Sequence, residues 1–206
     1  MENVLAVYEQ PYNRLEPVVC FDESSKQLID EVRPPSLPQP GQVARHDSEY
    51  QRNATANLFM CFEPLVGWRH VSVTDRRTRQ DFAHQMRWLV DTVYPHAICI
   101  HLVLDNLNTH SAVSLYETFP PAEANRLLKR LHFHYTPKHG SWLNMAEIEF
   151  RVLSRLALDQ RIPTFAALIR IIGEATRNAK GASVNWRFTT ADARIKLARL
   201  YPSIPD

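Results

Sequence analysis

Short apolar runs in the first part of the chain predict β-strands. The first run, residues 18–21, is compact and continuous, and residues 26–32 are expected to be its hairpin partner. Residues 56–62 and 68–73 are expected to add two more strands of an antiparallel meander. Four prolines in residues 33–41 predict an extended loop, because proline donates no hydrogen bond to a strand ladder.

Several later segments have apolar residues at spacings of three and four, which predicts helices. The predicted helices cover residues 79–94, 121–131, 142–158, 164–180 and 189–200. Two strands, 97–104 and 132–135, are expected between them. The first of these strands is nearly all apolar, as in a central strand that is covered on both faces.

This order of elements predicts a single α/β domain. Three strands, a helix, a strand, a helix, a strand and further helices follow one another, which is the order of an RNase H-like domain with a mixed five-stranded sheet flanked by helices. The domain is expected to span residues 17–206. Residues 1–16 are interpreted as a short helix and a proline-containing connection, more typical of a linker than of a core.

The composition fits a folded protein of modest charge. Hydrophobic residues make up 45% of the 206 residues, and the formal net charge is +2, so any contact with nucleic acid would depend on local basic patches. Cys20, Cys61 and Cys99 each lie in an apolar run, which indicates reduced core residues of a cytosolic protein rather than disulfides or a zinc site. No apolar run approaches the ~20 residues that cross a bilayer.

Two aspartates follow apolar runs and are candidates for metal ligation. Asp22 follows residues 18–21, and Asp105 follows residues 98–104, so adjacent strand ends would bring both carboxylates to one edge of the sheet. Either residue could instead mark a strand end or a turn. Glu23 is a weaker candidate, since neighbouring residues of a strand point to opposite faces.

A third carboxylate lies in the first turn of the helix predicted at residues 142–158. Glu147 and Glu149 both flank the apolar stripe, and helical geometry does not choose between them. Glu147 also has ordinary structural interpretations, as a partner of Asn144 in a capping box or of Arg151 in an i,i+4 ion pair. Its position nearer the start of the helix favours it weakly.

Carboxylates in this pattern are typical of sites that bind hard divalent cations. Two such ions roughly 4 Å apart can activate an attacking oxygen and stabilise a leaving oxygen in phosphodiester chemistry. His110 lies close behind Asp105 and is a possible neighbour of such a site. His132 and His134 could point the same way from a strand, but we interpret them as surface residues because the sequence reveals no third ligand.

Basic residues in predicted loops give a supporting signal for DNA contact. The candidates are Arg45, Arg52, Arg76, Arg77, Lys138 and His139. Arginine and lysine in loops beside an acidic metal site suit contact with the phosphate backbone, although such residues often serve only to solvate a surface.

Three segments in chain order resemble the catalytic domain of a DDE transposase from the bacterial insertion-sequence branch of the mariner superfamily. They are Cys20-Phe21-Asp22-Glu23-Ser24, Leu104-Asp105-Asn106-Leu107-Asn108-Thr109-His110 and Ser141-Trp142-Leu143-Asn144-Met145-Ala146-Glu147. Residues 50–59 also resemble this family. Many related transposases carry Pro-Ile where this chain has Met145-Ala146, and in much of the superfamily the second and third carboxylates are closer together in sequence.

The resemblance implies Asp22, Asp105 and Glu147 as catalytic residues and as ligands of two Mg²⁺ or Mn²⁺ ions, and it selects Glu147 over Glu149. It also implies cleavage of transposon ends, strand transfer into target DNA, a homodimer and no membrane association. The protein would act in the bacterial cytoplasm, on the nucleoid. Residues 1–16 would then connect to a missing N-terminal DNA-binding region. The alternatives are another RNase H-like nuclease or a catalytically silent remnant that binds DNA.

Overall fold

The fold is an α/β sandwich built on one mixed sheet, as described by a computed structural model for residues 1–33, 48–138, 140–178 and 183–201. The strands are β1 (Val18–Glu31), β2 (Tyr50–Glu63), β3 (Trp68–Thr74), β4 (Ile100–Leu104) and β5 (Leu131–Tyr135). Their order in the sheet is β3-β2-β1-β4-β5. The first three strands pair antiparallel, and β4 and β5 run parallel to β1. The predicted five-stranded mixed sheet is therefore confirmed.

Helices cover both faces of this sheet. In chain order they are α1 (Glu2–Tyr8), α2 (Arg79–Trp88), α3 (Ala112–Thr118), α4 (Pro121–Leu128), α5 (Met145–Leu153), α6 (Phe165–Asn178) and α7 (Thr190–Lys196). Wider π-helical turns extend α2 through Leu89–Val93 and α5 through Ser154–Leu158. These turns account for the longer helices that the apolar spacing predicts.

The alternation of β1 divides the core into two clusters. Cys20 belongs to a cluster that includes residues of α1, α5 and α6, whereas Phe21 belongs to one that includes residues of α2, α3 and α4. Successive residues of a strand point to opposite faces, so β1 separates the two layers of helices. The buried stripe predicted for α5 is confirmed, and its members are Leu143, Ala146, Phe150, Leu153 and Ala157.

The hairpin predicted within residues 18–32 is wrong. β1 is one continuous strand of 14 residues, and from Cys20 to Glu31 its partner is the equally long β2. Ser24 and Ser25 pair with Leu58 and Asn57 instead of forming a turn. The long-range pairing with β2 supplies a strand partner that local sequence does not reveal, and it overrides the turn preference of two serines.

Residues 1–16 are more closely integrated than a linker. Val4 and Leu5 of α1 are fully buried in the core. The Tyr8 hydroxyl donates to the Leu143 carbonyl oxygen at 2.7 Å, just before α5. The Leu15 carbonyl oxygen accepts from the Ile98 amide at 2.8 Å. The segment therefore packs as part of the domain, which corrects the expectation of a connecting segment.

One further helix, α3, was absent from the sequence prediction. It is short, and its fully buried large residue is Leu115, so its apolar spacing gives a weak signal. The strand predicted at 97–104 begins later, at Ile100, and the helix predicted at 121–131 ends at Leu128 because β5 starts three residues on. These last three differences, in α3, β4 and α4, lie at element ends or in short elements.

Candidate active site

Asp22 on β1 and Asp105, which directly follows β4, lie at matched positions of neighbouring parallel segments. β1 and β4 are parallel and pair Cys20 with Val103, and each aspartate follows its paired residue by two positions. Asp105 follows the end of β4, as predicted. Asp22 lies inside β1, which corrects its predicted place at a strand end, because β1 continues past this point against β2 alone.

The alternation of β1 gives Asp22 and Glu23 different surroundings. Asp22 has the same strand parity as Cys20, whose cluster includes α5, while Glu23 has the parity of Phe21 on the α2 side. Asp22 is therefore on the face of the sheet that carries the start of α5. The expectation that Glu23 points to the opposite face is confirmed.

Asn144 fastens the start of α5 to β1. Its side-chain Nδ2 donates to the Phe21 carbonyl oxygen at 2.8 Å, and its Oδ1 accepts from the Ala146 amide at 3.2 Å. Only 2% of Asn144 is exposed. This residue caps the helix and also holds its first turn, which contains Glu147, beside the residue that precedes Asp22. The sequence signal for the cap was visible, but the bond to β1 was not.

Glu147 and Glu149 have different partners. Glu149 forms an ion pair with Arg69 of β3, whose side chain is only 6% exposed. Glu147 forms the predicted i,i+4 pair with Arg151 at 3.0 Å, and the Arg151 side chain is 74% exposed. The carboxylate of Glu149 is thus committed to a buried arginine. The carboxylate of Glu147 is paired with an exposed arginine at the surface.

The three carboxylates are close enough to influence one another. Burial raises the pKa of Asp22 to about 7, and the charges of Asp105 and Glu147 add to this rise. The Glu23 amide, which donates to Asp22 Oδ1 at 2.8 Å, and nearby His110 oppose it. A buried carboxyl that is repelled by two others has a strong electrostatic demand for a cation.

His110 forms a hydrogen bond with Asp105. Its Nδ1 donates to Asp105 Oδ1 at 2.6 Å, and this hydrogen bond lowers the pKa of Asp105. The His110 side chain is fully buried and lies against the rings of Phe21 and Phe82. His110 is therefore a neighbour of the candidate site, in contact with one of its carboxylates.

Glu23 lies beside His110, near the ring nitrogen that does not contact Asp105. Its side chain is 4% exposed, with Oε2 3.9 Å from His110 Nε2 and Oε1 3.8 Å from Arg77 Nη1. Burial raises the pKa of Glu23, and His110 and Arg77 oppose this rise. Neither Glu23 oxygen makes a hydrogen bond within the described parts of the chain. The sequence did not predict the contact between Glu23 and His110, since it joins β1 to a loop far along the chain.

The predicted basic residues occupy separate regions. Arg76 and Arg77 are exposed in the loop after β3, and Lys138 is exposed after the carboxyl end of β5. Arg52 lies on β2 opposite Ile29, seven residues along β1 from Asp22 and therefore about 23 Å away. Arg45 and His139 lie outside the described residues.

The carboxylates are not drawn together as tightly as a preformed single-ion site. Among the described residues, three metal-binding side chains with ligand atoms within 4.8 Å of one another occur at Cys99, His101 and His132.

The described part of the chain includes no helix long and apolar enough to cross a membrane. All three cysteines are free and buried, as predicted.

Comparison with known proteins places the chain in a family. The sequence profile of the DDE superfamily endonucleases matches residues 17–169. No curated protein sequence matches significantly. Among solved structures, the Mos1 mariner paired end complex with Mn is similar with a TM-score of 0.55 at 15% identity, over 87% of this chain and 55% of that chain.

Two further structures share the fold. The Mos1 strand transfer complex gives a TM-score of 0.56 at 15% identity, over 88% of this chain and 55% of that chain. An intasome of simian T-cell lymphotropic virus, in complex with the PP2A regulatory subunit B56 gamma, gives 0.50 at 10% identity, over 96% of this chain and 61% of that chain. The chain thus spans little more than half the length of the Mos1 proteins, and the similarity establishes the RNase H-like fold. Since the family profile matches well over half of its residues, the chain belongs to the DDE superfamily of endonucleases.

Proposed function

We propose that this chain is the catalytic domain of a transposase that cleaves DNA at transposon ends and transfers the freed strands to target DNA. Asp22, Asp105 and Glu147 would bind two Mg²⁺ or Mn²⁺ ions. One observation carries the proposal: two aspartates at matched positions of parallel strands share a sheet face with a glutamate held there by Asn144. Membership of the endonuclease family supports the same reaction class.

The donor set fits hard divalent cations. All three residues are carboxylates, which Mg²⁺ and Mn²⁺ prefer over imidazole and thiolate. Burial first, and then the charges of Asp105 and Glu147, raise the pKa of Asp22, and a bound cation would offset both effects. Two ions can share one carboxylate and take the others from either side, so a two-ion site does not need all its ligand atoms within one small sphere. When bound, the ions would activate the attacking oxygen and neutralise charge on the leaving oxygen.

The residues of the chain have distinct parts in this proposal. His110 keeps Asp105 oriented and ionised through its hydrogen bond. Glu147 would exchange Arg151 for a metal ion at small cost, since an exposed ion pair contributes only ~0–1 kcal/mol. Asn144 fixes the turn of α5 that carries Glu147. No side chain is needed as a covalent nucleophile.

Double-stranded DNA is the proposed partner, as both transposon end and target. Arg77 is exposed beside Glu23, and Lys138 follows β5 at the same sheet edge as Asp105. Arg76 is exposed next to Arg77. Arg52 would contact more distant phosphates, near the end of the paired strands β1 and β2 that is far from Asp22. Arg45 and His139 are proposed as DNA contacts on sequence alone. Such residues would set affinity rather than sequence specificity.

A homodimer is the proposed active form. The outer face of α5 and its π-helical extension carries three exposed apolar residues at intervals of four, namely Ile148, Val152 and Leu156. This spacing forms one stripe along the helix. An exposed apolar stripe on the helix that carries Glu147 suits contact with a second copy. The proposal also includes a DNA-binding region outside residues 1–206, and action on DNA in a bacterial cytoplasm.

The test is metal-dependent DNA cleavage by matched variants. Wild type should nick duplex DNA carrying transposon ends in Mg²⁺ or Mn²⁺, and Asp105→Asn or Glu147→Gln should lower the rate by at least about a hundredfold. Glu117→Gln is the control, since Glu117 is an exposed helix carboxylate paired with Arg79. Thermal unfolding should show that all three variants remain folded.

Three results would contradict the proposal. Normal cleavage by Asp105→Asn would remove the central assignment. Cleavage of an RNA–DNA hybrid or a four-way junction, with none of transposon-end duplex, would identify a different RNase H-like nuclease. Calorimetric titration with Mn²⁺ tests the alternative of a catalytically silent remnant. Mn²⁺ binding in wild type that is lost in the carboxylate variants supports catalysis, and no Mn²⁺ binding in wild type supports the remnant.

A further inference from the structure

Cys99, His101 and His132 form a cluster at the opposite end of β4 from the carboxylates. Their ligand atoms all lie within 4.8 Å of one another. His101 and His132 are directly paired in the parallel ladder of β4 and β5, and Cys99 lies two residues before His101 along the chain. The cluster is thus held by the sheet and not by flexible loops alone.

A chain of hydrogen bonds sets the tautomer of His101. The Asn3 side-chain oxygen only accepts, so His134 Nδ1, 2.6 Å away, carries a proton. In neutral His134 the other nitrogen, Nε2, is then an acceptor, and it lies 3.0 Å from His101 Nδ1. His101 must therefore donate from Nδ1, which leaves a lone pair on its Nε2. Metal-binding histidines are typically oriented by such a bond to their second nitrogen.

We propose that Cys99, His101 and His132 bind Zn²⁺, with His134 and Asn3 orienting the His101 ring. One thiolate and two imidazoles are the ligand types that zinc favours over magnesium or calcium. Tetrahedral zinc needs its ligand atoms about 3.3–3.8 Å apart, so ligand atoms already within 4.8 Å require only small side-chain adjustments. The fourth position of the tetrahedron would be open to water.

This proposal departs from the interpretation of the cysteines as unrelated to zinc and gives His132, which is exposed at the surface, a metal-binding role. The missing third ligand, Cys99, is distant in sequence and adjacent only through strand pairing. His101 precedes Asp105 by four residues of extended chain, about 13 Å, so the site is separate from the carboxylates. Zinc here would fasten the edge strand β5 to β4 and, through His134 and Asn3, to α1.

The first test is calorimetric titration of the full chain with ZnCl₂ in excess Mg²⁺. Wild type should bind one Zn²⁺, and His132→Asn should lower the affinity at least about tenfold, because even outer partners of zinc ligands contribute 10–100-fold. His132 is exposed, so this variant should fold. His134→Phe, which breaks the orienting chain, should lower the affinity about 10–100-fold. His84→Asn, an exposed histidine on α2, is the matched control.

Absorption of the Co²⁺-substituted protein tests the ligand set. Wild type should show a thiolate charge-transfer band and strong visible bands of a tetrahedral site, and Cys99→Ala should lose the thiolate band. Asp105→Asn should keep both, which separates this site from the proposed catalytic one. The proposal fails if wild type binds no Zn²⁺, if affinity is unchanged in His132→Asn and Cys99→Ala, or if Co²⁺ gives no thiolate band.

Discussion

Asp22 shows how the environment of one residue controls a carboxyl group. In the folded protein its pKa is raised to about 7 from the ordinary value of 3.8, by burial first and then by the charges of Asp105 and Glu147. Between these two values the folded state holds a proton that the unfolded chain has lost. The stabilising contribution of this proton is therefore present in acid and is lost as pH rises through about 7.

Replacing Asp22 removes this pH dependence. In EDTA, Asp22→Asn should be more stable than wild type by on the order of 1–3 kcal/mol at about pH 8, and the difference should shrink towards about pH 4. Denaturant unfolding at several pH values measures it. A constant difference across this range would show that the pKa of Asp22 is not raised in the folded protein.

Glu149 and Arg69 give a second prediction at this scale. Glu149→Gln leaves a buried arginine without its charged partner, which should lower the free energy of unfolding by about 3–5 kcal/mol. At a temperature where it stays folded, the variant should keep metal-dependent cleavage. Glu147→Gln should behave in the opposite way, with little loss of stability and cleavage slowed at least about a hundredfold. If Glu149→Gln abolished Mn²⁺ binding while folded, Glu149 would be the third ligand.

At the scale of elements, the start of α5 connects fold and site. Asn144 makes one hydrogen bond that belongs to the helix and another that belongs to β1. Sequence periodicity correctly predicted this helix and its buried stripe. It did not predict that β1 continues through Ser24 and Ser25, because that depends on pairing with β2, a separate segment of the sequence.

Asn144→Ala should therefore affect both stability and the site. Loss of the cap alone costs about 1 kcal/mol, and the unpaired Phe21 carbonyl oxygen adds about 1–3 kcal/mol. Because the first turn of α5 loses its attachment to β1, affinity for Mn²⁺ should fall as well. Asn108→Ala, in an exposed loop, is the control and should change stability by less than about 0.5 kcal/mol. Unchanged Mn²⁺ affinity in Asn144→Ala would assign the residue a purely structural role.

At the scale of the whole molecule, α1 closes the core. It packs in the same cluster as Cys20, and Tyr8 connects it to the residue that precedes Asn144. A segment that looks like a linker from its sequence is thus one of the supports of the site. Its apolar residues are too few for periodicity to reveal this, and burial depends on elements more than a hundred residues away.

Leu5→Ala tests the packing of α1. Leu5 is fully buried, so the variant should lose about 2–4 kcal/mol of unfolding free energy. Leu15→Ala is the matched control, since 46% of Leu15 is exposed, and should lose less than about 1 kcal/mol. Equal effects in urea unfolding would mean that α1 is not docked on the core.

The sequence by itself determined most of the elements, with the hairpin in residues 18–32 and helix α3 as exceptions, and the chemical character of the site. Neighbouring residues predict the periodicity of strands and helices, the apolar stripe of α5 and the positions of Asp22 and Asp105. The reason is that local spacing decides which side chains share a face. Family resemblance, not periodicity, selected Glu147.

Only the tertiary structure decided which distant residues meet. Pairing with β2 made β1 continuous. Packing of α5 on the sheet brought Glu149 to Arg69, and the segment after β4 brought His110 to Glu23. The pairing of β4 with β5 brought Cys99 to His132. These contacts depend on sheet register and on the burial of charge, which arise when residues far apart in sequence come together and which no local pattern encodes.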